Sequence, residues 1–248
     1  MPDNRPQSGI VSCALCPFRK VCRNFMGGAG ITSATGISPG SVHLQAGEIL
    51  CEQGRPALAV YPVRTGGLKG VYESQLGWRQ VSRFFMPGDV PGLEAHDAPA
   101  YGISVVALQD TECCVIPVEA VQAGFAHADL RAAALDIFRR QTRRQSELLI
   151  AIGSMKAAQR LAMLLLDLAG EQARRGMADS VLTLTMTRND IASYLGLTLE
   201  TVSRLLSRFR SAGLITVRHR LLRIVDEAGL AAVHADPERV TLRNPGVD

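Results

Sequence analysis

The sequence contains no run that approaches the roughly 18 consecutive apolar residues of a membrane span. Its first residues, Met1 to Arg5, lack the apolar core of a secretory signal peptide. Six cysteines in 248 residues are too few for the disulfide scaffold of a small secreted protein. We therefore expect a cytoplasmic protein with no membrane partner, whose cysteines are reduced thiols that are free to bind a metal.

Motifs of the common enzyme classes are missing as well. The chain has no P-loop, no Ser/His/Asp arrangement and no paired-carboxylate motif, and its five histidines are scattered. An enzyme is therefore not expected. Hydrophobic residues make up 47% of the chain and charged residues 20%, which is ordinary for a folded protein with a sizeable core.

Charge is distributed unevenly between the two halves of the chain. Residues 1–125 carry 9 Lys+Arg and 10 Asp+Glu, whereas residues 126–248 carry 18 and 13, so the halves have formal charges of −1 and +5. A modest excess of this kind does not identify nucleic acid as a partner by itself. The position of the basic residues along the chain decides whether nucleic acid is expected as a partner.

The residue pattern changes three times along the chain. Residues 1–29 form an irregular arm, and residues 30–127 contain short apolar runs broken by Gly and Pro, which predict a β-barrel or β-roll. Residues 128–158 have helical spacing and predict one long helix, and residues 159–248 contain further helical and strand patterns. The predicted fold class is therefore α+β, with a roll, a connecting helix and a smaller C-terminal domain.

The long helix predicts a dimer interface. Alternating steps of three and four residues connect one stripe, which consists of Leu130, Ala134, Ile137, Gln141, Arg144, Leu148, Ala151 and Met155. A stripe of this length with polar Gln141 and Arg144 in its middle indicates a marginal coiled coil between two chains. Glu147 flanks the stripe, and its repulsion across a dimer would set the threshold for pairing. The alternative is a helix that packs on the roll of its own chain.

Residues 187–206 have the pattern of a helix, a tight turn and a second helix. Ala192 is the small residue at the helix crossing, and Gly196 permits a positive φ in the turn. Thr198 is a suitable N-cap for the second helix, because its hydroxyl can accept a hydrogen bond from a free backbone N–H. Ser203, with its neighbours Glu200 and Arg204, then lies on the outward face of the turns that enter a major groove.

These side chains have the chemistry to recognise bases. Arg pairs with the O6 and N7 atoms of guanine, Glu accepts from the amino group of cytosine, and Ser reaches a thymine or a phosphate. The complete predicted DNA-contacting set is Thr198, Glu200, Thr201, Ser203, Arg204 and Arg208. The alternative is an ordinary helical hairpin with solvated charges.

A basic wing follows the two helices. After the helix-ending Gly213, two apolar runs flank Arg218-His219-Arg220 and predict a strand, a turn and a strand. Seven arginines against one aspartate and one glutamate lie between Thr187 and Arg223, and this net charge of +5 equals the excess of the second half. The basic charge therefore lies on the predicted reader, as phosphate neutralisation requires, and double-stranded DNA is the predicted partner.

Three cysteines of the arm have the spacing C-x2-C-x5-C, and they are Cys13, Cys16 and Cys22. Three thiolates leave a four-ligand site incomplete, so a fourth ligand is expected from Cys51, Cys113 or Cys114. Cys51 lies in a strand-like run and fits a core position better. Zinc with four thiolates and an iron-sulfur cluster both satisfy the ligand count, and unligated thiols are the alternative.

The chain resembles the CRP/FNR regulators over nearly its whole length, and among them the oxygen-responsive FNR type. The resemblance rests on the cysteine triplet, on Cys114-Val115-Ile116-Pro117-Val118-Glu119, and on Met186-Thr187-Arg188-Asn189-Asp190-Ile191 followed by Glu200-Thr201-Val202-Ser203-Arg204. It implies a β-roll of the cyclic-nucleotide-binding jelly-roll type, a dimerisation helix and a C-terminal winged helix-turn-helix. It also implies that the triplet and Cys114 hold a [4Fe-4S] cluster.

The resemblance implies a mode of action too. A homodimer with an intact cluster is expected to bind a palindrome resembling TTGAT-N4-ATCAA, with Glu200, Ser203 and Arg204 on base edges. Activators of this family contact RNA polymerase through loops of the roll, and the turn Gln75-Leu76-Gly77-Trp78 is the candidate for that contact. The alternative is that Trp78 packs on the roll.

Two features depart from the family pattern. No arginine lies between Phe85 and Gly102, where cyclic-nucleotide relatives place the one that holds the phosphate, so no cyclic nucleotide is expected as a ligand. Pro17 follows the second cysteine and has no N–H to donate to a cluster sulfur, so the oxygen reactivity is expected to differ from that of relatives. The alternatives to the cluster are a zinc or thiol-redox switch and a haem-based gas sensor with His96 or His43 as axial ligand.

Overall fold

A computed structural model of the chain describes residues 40–95, 97–126, 128–174, 181–218 and 221–236. The chain divides into two compact units, with the boundary between Gln141 and Thr142. This boundary falls inside a long helix, and each unit is described by itself. Within the described ranges, no helix combines the length and the apolar character needed to cross a membrane.

The first unit consists mainly of short strands. Their ranges are β1 Gly40–Leu44, β2 Ile49–Cys51, β3 Ala59–Val60, β4 Val63–Thr65, β5 Leu68–Glu73, β6 Arg79–Phe85, β7 Ser104–Ala107 and β8 Thr111–Pro117. They form two antiparallel sheets: β8 pairs with β1, β3 and β4 in one, and the order in the other is β2-β7-β5-β6. The predicted β-roll is therefore confirmed.

Apolar side chains from both sheets fill the core of the roll. Leu68 and Phe85 are almost completely buried there. Gly66 has a φ of 86°, and a Cβ added to it would lie 2.5 Å from the carbonyl oxygen of Asp110, so only glycine fits this turn. The buried Thr111 hydroxyl lies beside the turn and donates to the carbonyl oxygen of Gln109 at 2.8 Å.

Two helices follow β8, namely α1 Val118–Gly124 and α2 Ala128–Ser154. The long predicted helix is thus present as α2. A second cluster of buried apolar side chains joins the roll, α1 and the first half of α2, and its members are Val60, Val90, Leu93, Ile116, Val118, Val121 and Ile137. One side of this half of α2 therefore packs on its own roll, as the alternative interpretation of the stripe expects.

The second unit contains the rest of α2 and the C-terminal elements. These are α3 Ala157–Arg174, β9 Val181–Thr183, α4 Arg188–Leu195, α5 Leu199–Ser211, β10 Ile215–Arg218, β11 Leu221–Ile224 and α6 Glu227–Ala235. The strands form one antiparallel sheet in the order β10-β11-β9. Helices α4 and α5 are the predicted helix-turn-helix, and the hairpin of β10 and β11 is the predicted wing. The pattern analysis did not predict β9 and α6.

Candidate nucleic-acid interface and cysteine site

Helix α4 begins at a capping box. Thr187 Oγ1 accepts from the backbone N–H of Asp190 at 3.1 Å, and the Asp190 carboxylate accepts from the Thr187 N–H at 3.0 Å and from its hydroxyl at 2.7 Å. Asp190 is buried, so these bonds satisfy a carboxylate that water does not reach. The sequence analysis missed this cap, although the spacing of Thr187 and Asp190 is the local signal for it.

The turn and the second cap fix where the reading helix α5 begins. Gly196 ends α4 in the left-handed conformation with a φ of 61°, as its predicted place in the turn requires. Thr198 Oγ1 then accepts from the backbone N–H of Thr201 at 3.2 Å, which is the predicted N-cap. Val202, Leu205, Leu206 and Phe209 are buried on the inner face of α5.

The outward face of α5 carries a connected set of polar side chains. The Thr198 hydroxyl donates to Thr201 Oγ1 at 3.0 Å, and the Arg204 guanidinium donates to the same oxygen at 3.4 Å. Arg204 is exposed, and Arg208 is exposed one turn further along the helix. The structure therefore brings Thr198, Thr201 and Arg204 together and holds the Arg204 guanidinium over the first turn.

The Glu200 carboxylate belongs to the same exposed surface. Hydrogen bonding to its own backbone N–H lowers the pKa of Glu200, and the Thr198 side chain and the nearby Arg204 charge lower it further. Glu200 is therefore ionised at neutral pH and acts only as a hydrogen-bond acceptor. That property matches the amino group that cytosine presents in the major groove.

Ser203 lies beside these residues and is contacted from the neighbouring helix. The Arg188 guanidinium, at the first position of α4, donates to Ser203 Oγ at 3.4 Å. Arg218 and Arg223 are exposed on the wing strands, while His219 and Arg220 lie outside the described residues. Arg188 thus extends the basic surface next to the reading residues, and the sequence analysis did not single it out.

The predicted dimer residues on α2 have partners within their own chain. Ile137 packs in the second cluster of the roll, and Ala151 is completely buried. Arg144 forms ion pairs with Asp167 at 3.6 Å and with Glu171, both on α3. Ala134 is buried as well, whereas Gln141, Glu147, Leu148 and Met155 are half-buried. Glu147 lies 3.6 Å from the guanidinium of Arg143.

A neighbouring side of α2 is exposed and partly apolar. Four residues of the second unit follow each other there at heptad spacing, and we call them the exposed stripe: Thr142, Gln145, Leu149 and Ile152. Leu149 is 71% exposed. Pairing through the predicted stripe stays a prediction, but the burial of Ile137 and Ala151 inside one chain favours the exposed stripe, which is displaced by one residue.

Of the four predicted cluster ligands, Cys114 lies within the described residues, whereas Cys13, Cys16 and Cys22 lie outside them. The alternative ligands, Cys51 and Cys113, belong to the core of the roll. Burial raises the pKa of Cys51 to about 12 and raises that of Cys113 further, so neither thiol forms a thiolate readily. The prediction that Cys51 is a core residue is confirmed.

Cys114 follows Cys113 on β8, so the two side chains point to opposite faces of the strand. Strand β1 pairs with β8 so that Ser41 lies opposite Cys114 and Gly40 opposite Val115. Residues 1–39, which include the three cysteines of the arm, lie outside the described residues. Cys114 is 5% exposed, so it is buried as Cys51 and Cys113 are, and its role as the fourth ligand stays a prediction. Among the described residues, no three His, Cys, Asp or Glu side chains come together as a metal site.

The hairpin of β5 and β6 carries the candidate surface for RNA polymerase. The rings of Tyr72 and Trp78 lie 5.6 Å apart at an interplanar angle of 52°. Trp78 is nevertheless 54% exposed, and Leu76 in the same turn is 91% exposed. The tryptophan therefore packs on a neighbouring ring and also remains accessible.

Comparisons with known proteins agree with this architecture. The cyclic nucleotide-binding domain family matches residues 41–127, and the Crp-like helix-turn-helix domain family matches residues 159–233. The transcriptional regulatory protein btr of Bordetella pertussis is 38% identical over 190 residues, which cover 76% of this chain and 78% of btr. The anaerobic regulatory protein of Haemophilus influenzae is 31% identical over 229 residues, which cover 90% of this chain and 89% of that protein.

A solved structure, that of FixK2 from Bradyrhizobium japonicum, superposes with a TM-score of 0.71 and 27% identity and covers 79% of this chain and 97% of FixK2. The likeness therefore includes both the roll and the helix-turn-helix. The chain belongs to the CRP/FNR family of transcription regulators, which are DNA-binding proteins and not enzymes.

Proposed function

We propose that this protein is an oxygen-responsive transcription regulator of the FNR type in a reducing cytoplasm. It binds a palindrome resembling TTGAT-N4-ATCAA as a homodimer while a [4Fe-4S] cluster is intact. The observation that carries the sensing part is the C-x2-C-x5-C triplet of the arm together with Cys114, whose strand β8 pairs with β1, the first described strand of the chain. The similarity to an anaerobic regulatory protein supports the same conclusion.

Cys13, Cys16, Cys22 and Cys114 would hold the cluster. When bound, it supplies an inorganic centre that oxygen converts, so that its integrity reports the absence of oxygen. Two residues after Cys114 on the same strand, Ile116 packs in the buried cluster that contains Ile137 of α2. Ligation of Cys114 would therefore restrain β8 and, through this apolar contact, the first half of α2.

The homodimer is proposed to form through the exposed stripe of α2. Leu149 and Ile152 supply apolar contacts, whereas Thr142 and Gln145 place polar groups at the other two core positions. A coiled coil with this mixture is weak, so a small change in the geometry of α2 decides whether two chains pair. Two linked readers then engage adjacent major-groove faces about 34 Å apart and bind far more tightly than one.

The reading residues suit the proposed half-site. A TTGAT half-site contains a single G·C pair, and Arg204 and Glu200 carry the groups that recognise guanine and cytosine. Ser203 is the candidate for a thymine, and the basic side chains around it neutralise phosphates. The Thr201 hydroxyl accepts from Arg204 and also from the Thr198 hydroxyl, so the Arg204 side chain is oriented before DNA binds.

The central experiment uses protein purified without air. Iron and sulfide are measured, and DNA affinity is titrated before and after exposure to air. We expect iron with matching sulfide, tight binding to the palindrome before exposure and weak binding after it. Finding zinc without iron, or thiols that oxidise without metal, would refute the cluster and support a zinc or thiol-redox switch. Finding haem would support a haem-based gas sensor instead. His43, one alternative haem ligand, is exposed on β1, and His96 lies outside the described residues.

Two neighbouring cysteines provide a matched pair of variants. Cys114→Ala should lose the iron and the tight DNA binding, whereas Cys113→Ala should keep the iron because the Cys113 thiol faces the core. Equal iron content in both variants would exclude Cys114 as a ligand. Loss of iron in Cys113→Ala but not in Cys114→Ala would show that Cys113, and not Cys114, is the fourth ligand.

Two further parts of the proposal concern the roll. The β5–β6 hairpin is proposed to contact RNA polymerase, and the exposure of Trp78 supports this role. Normal transcription in vitro by Trp78→Ala would refute it.

No cyclic nucleotide is proposed as a ligand. Arg83, the arginine that precedes the segment from Phe85 to Gly102 in the sequence, lies 3.9 Å from Glu94, and its guanidinium lies over the ring of Phe85. A change in DNA affinity on adding cAMP would contradict this part.

A further inference from the structure

One guanidinium on α3 joins the ends of two other helices. Arg160 donates from Nε to the Met155 carbonyl oxygen at 3.0 Å, from Nη2 to that of Ile152 at 2.7 Å, and from Nη1 to that of Leu195 at 3.1 Å. Ile152 lies in the last turn of α2, and Met155 follows its end. Leu195 is the last residue of α4. All three nitrogen atoms of Arg160 therefore bond to helix ends.

The chemistry of helix ends explains why an arginine is needed here. Carbonyl groups in the last turn of a helix lack partners within the helix and carry partial negative charge. Leu195 is completely buried, so water does not reach its carbonyl group. A guanidinium presents its donors in a rigid planar fork that can span several acceptors, whereas the single nitrogen of lysine cannot.

We propose that Arg160 is a positioning residue for DNA recognition, which joins the end of α2 to α4 of the helix-turn-helix as a fixed joint. This inference rests on the proposed function, in which a dimer built on α2 reads two half-sites. In such a dimer, the attachment of each reader to α2 sets the separation of the two readers. A rigid joint then selects one spacing between half-sites, and a loose joint accepts several.

The packing around the guanidinium agrees with a joint at the reader. A Cβ added to Gly196, in the turn between α4 and α5, would lie 3.7 Å from Arg160 Nη1. The guanidinium thus lies against the turn that leads into the reading helix, but it bonds to none of the predicted reading residues. Removing it should therefore change how the reader is held and leave the reading surface itself intact.

The adjacent residue on α3 offers a matched control. Gln159 accepts through Oε1 from the Lys156 N–H at 2.9 Å and donates through Nε2 to the His234 carbonyl oxygen at 3.0 Å. It therefore connects α3 to α6 without bonding to α2 or α4. Gln159→Ala removes a comparable number of side-chain bonds but leaves the proposed joint in place.

The test measures spacing preference with full-length protein purified without air. Wild type, Arg160→Met and Gln159→Ala are titrated against palindromes with spacers of three to six base pairs and against a single half-site. Linking two readers raises the affinity for DNA roughly 100-fold or more. We therefore expect the ratio of the affinity for the palindrome with the four-base-pair spacer to the affinity for the half-site to be about tenfold lower in Arg160→Met than in wild type. Its half-site affinity should stay within about twofold of wild type, and Gln159→Ala should keep the wild-type preference.

Two results would refute the proposed role of Arg160. The first is an unchanged spacer preference in Arg160→Met. The second is an equal loss of affinity for the half-site and the palindrome, because Arg160 would then only stabilise the structure of the reader. If Arg160→Met does not fold by circular dichroism, the same titrations on Arg160→Lys decide, because lysine keeps the charge but not the three bonds.

Amide hydrogen exchange separates failure of the joint from failure of the proposed function. If the wild type shows no preference for a palindrome, the dimeric mode of binding is wrong, and the joint is then judged by exchange alone. Faster exchange of the Met155 and Leu197 amides in Arg160→Met, but not in Gln159→Ala, supports it, because these amides donate to Ala151 and Ala192 at the two joined helix ends. Unchanged exchange at both amides refutes it.

Discussion

Replacing Leu149 by alanine should weaken the homodimer by about 100-fold. The Leu149 residue is 71% exposed in the single chain, so pairing of two chains has most of its surface left to bury. Complete burial of a leucine side chain is worth about 2 kcal/mol, so this fraction contributes about 1.5 kcal/mol. A two-fold axis doubles the contribution to about 3 kcal/mol per dimer, which corresponds to about two orders of magnitude in the dissociation constant.

Sedimentation equilibrium of protein prepared without air measures this constant directly. Leu58→Ala is the matched control, because Leu58 is 68% exposed but belongs to the roll and not to α2. It should leave the dissociation constant within about threefold of the wild-type value, since surface substitutions away from contacts change free energies by about 0.5 kcal/mol or less. The difference between the two variants then reports the interface and not a general loss of apolar surface.

A third variant, Leu148→Ala, compares the two stripes of α2. Leu148 is half-buried and belongs to the stripe that the sequence predicts, whereas Leu149 belongs to the exposed stripe. If Leu148→Ala weakens the dimer and Leu149→Ala does not, the inference from exposure is wrong and the predicted stripe is the interface. Equal effects of Leu149→Ala and Leu58→Ala would refute it as well.

Further predictions concern the reader and the flank of α2. Asp190→Ala removes the carboxylate half of the α4 capping box and should lower the free energy of unfolding of the second unit by about 2 kcal/mol in urea titrations. Glu200→Gln should reduce discrimination for cytosine, measured by competition between base-pair variants; because the pKa of Glu200 is lowered from 4.5, wild-type discrimination should persist as pH falls to 5. Glu147→Ala should leave the monomer–dimer equilibrium unchanged by sedimentation, because Glu147 lies on the far side of α2 from the exposed stripe.

The roll and the helix-turn-helix could be predicted from sequence because local chemistry determines them. Short apolar runs between Gly and Pro favour strands, and Thr198 caps α5 by accepting from a backbone N–H three residues away. Gly196 occupies a turn that other residues enter only with strain. Each of these features depends on neighbours in sequence, so the printed order of residues contains the information.

The register of the α2 surface is a different problem. Stripes that include Ile137 and Ala151, or Leu149 and Ile152, follow the same steps of three and four and differ by a single residue. Periodicity therefore predicts a helix with an apolar side but does not specify which neighbour that side contacts. The contact with the roll is a tertiary interaction, and Ile137 reveals it only through its place in the buried cluster.

Arg160 and Arg188 were missed for a related reason. Arg160 bonds to a residue 35 positions away, and Arg188 reaches Ser203 across the turn, 15 positions away. An arginine on an amphipathic helix is usually a solvated charge, so neither position carries a local signal. Only the fold brings each guanidinium to its acceptor.

The weakness of the proposed dimer is what would make it suitable for control. Moving a population from 1% to 99% dimer-competent requires about 5.5 kcal/mol of differential stabilisation. One pair of Leu149 side chains supplies about 3 kcal/mol of pairing energy, and Thr142 and Gln145 add little apolar area. A stripe with apolar residues at all four positions would pair regardless of the cluster. Thr142→Leu combined with Gln145→Leu should therefore give a dimer that binds the palindrome in air. A variant that stays dimeric in air but loses the palindrome there would show that oxygen acts on the reader rather than on chain pairing.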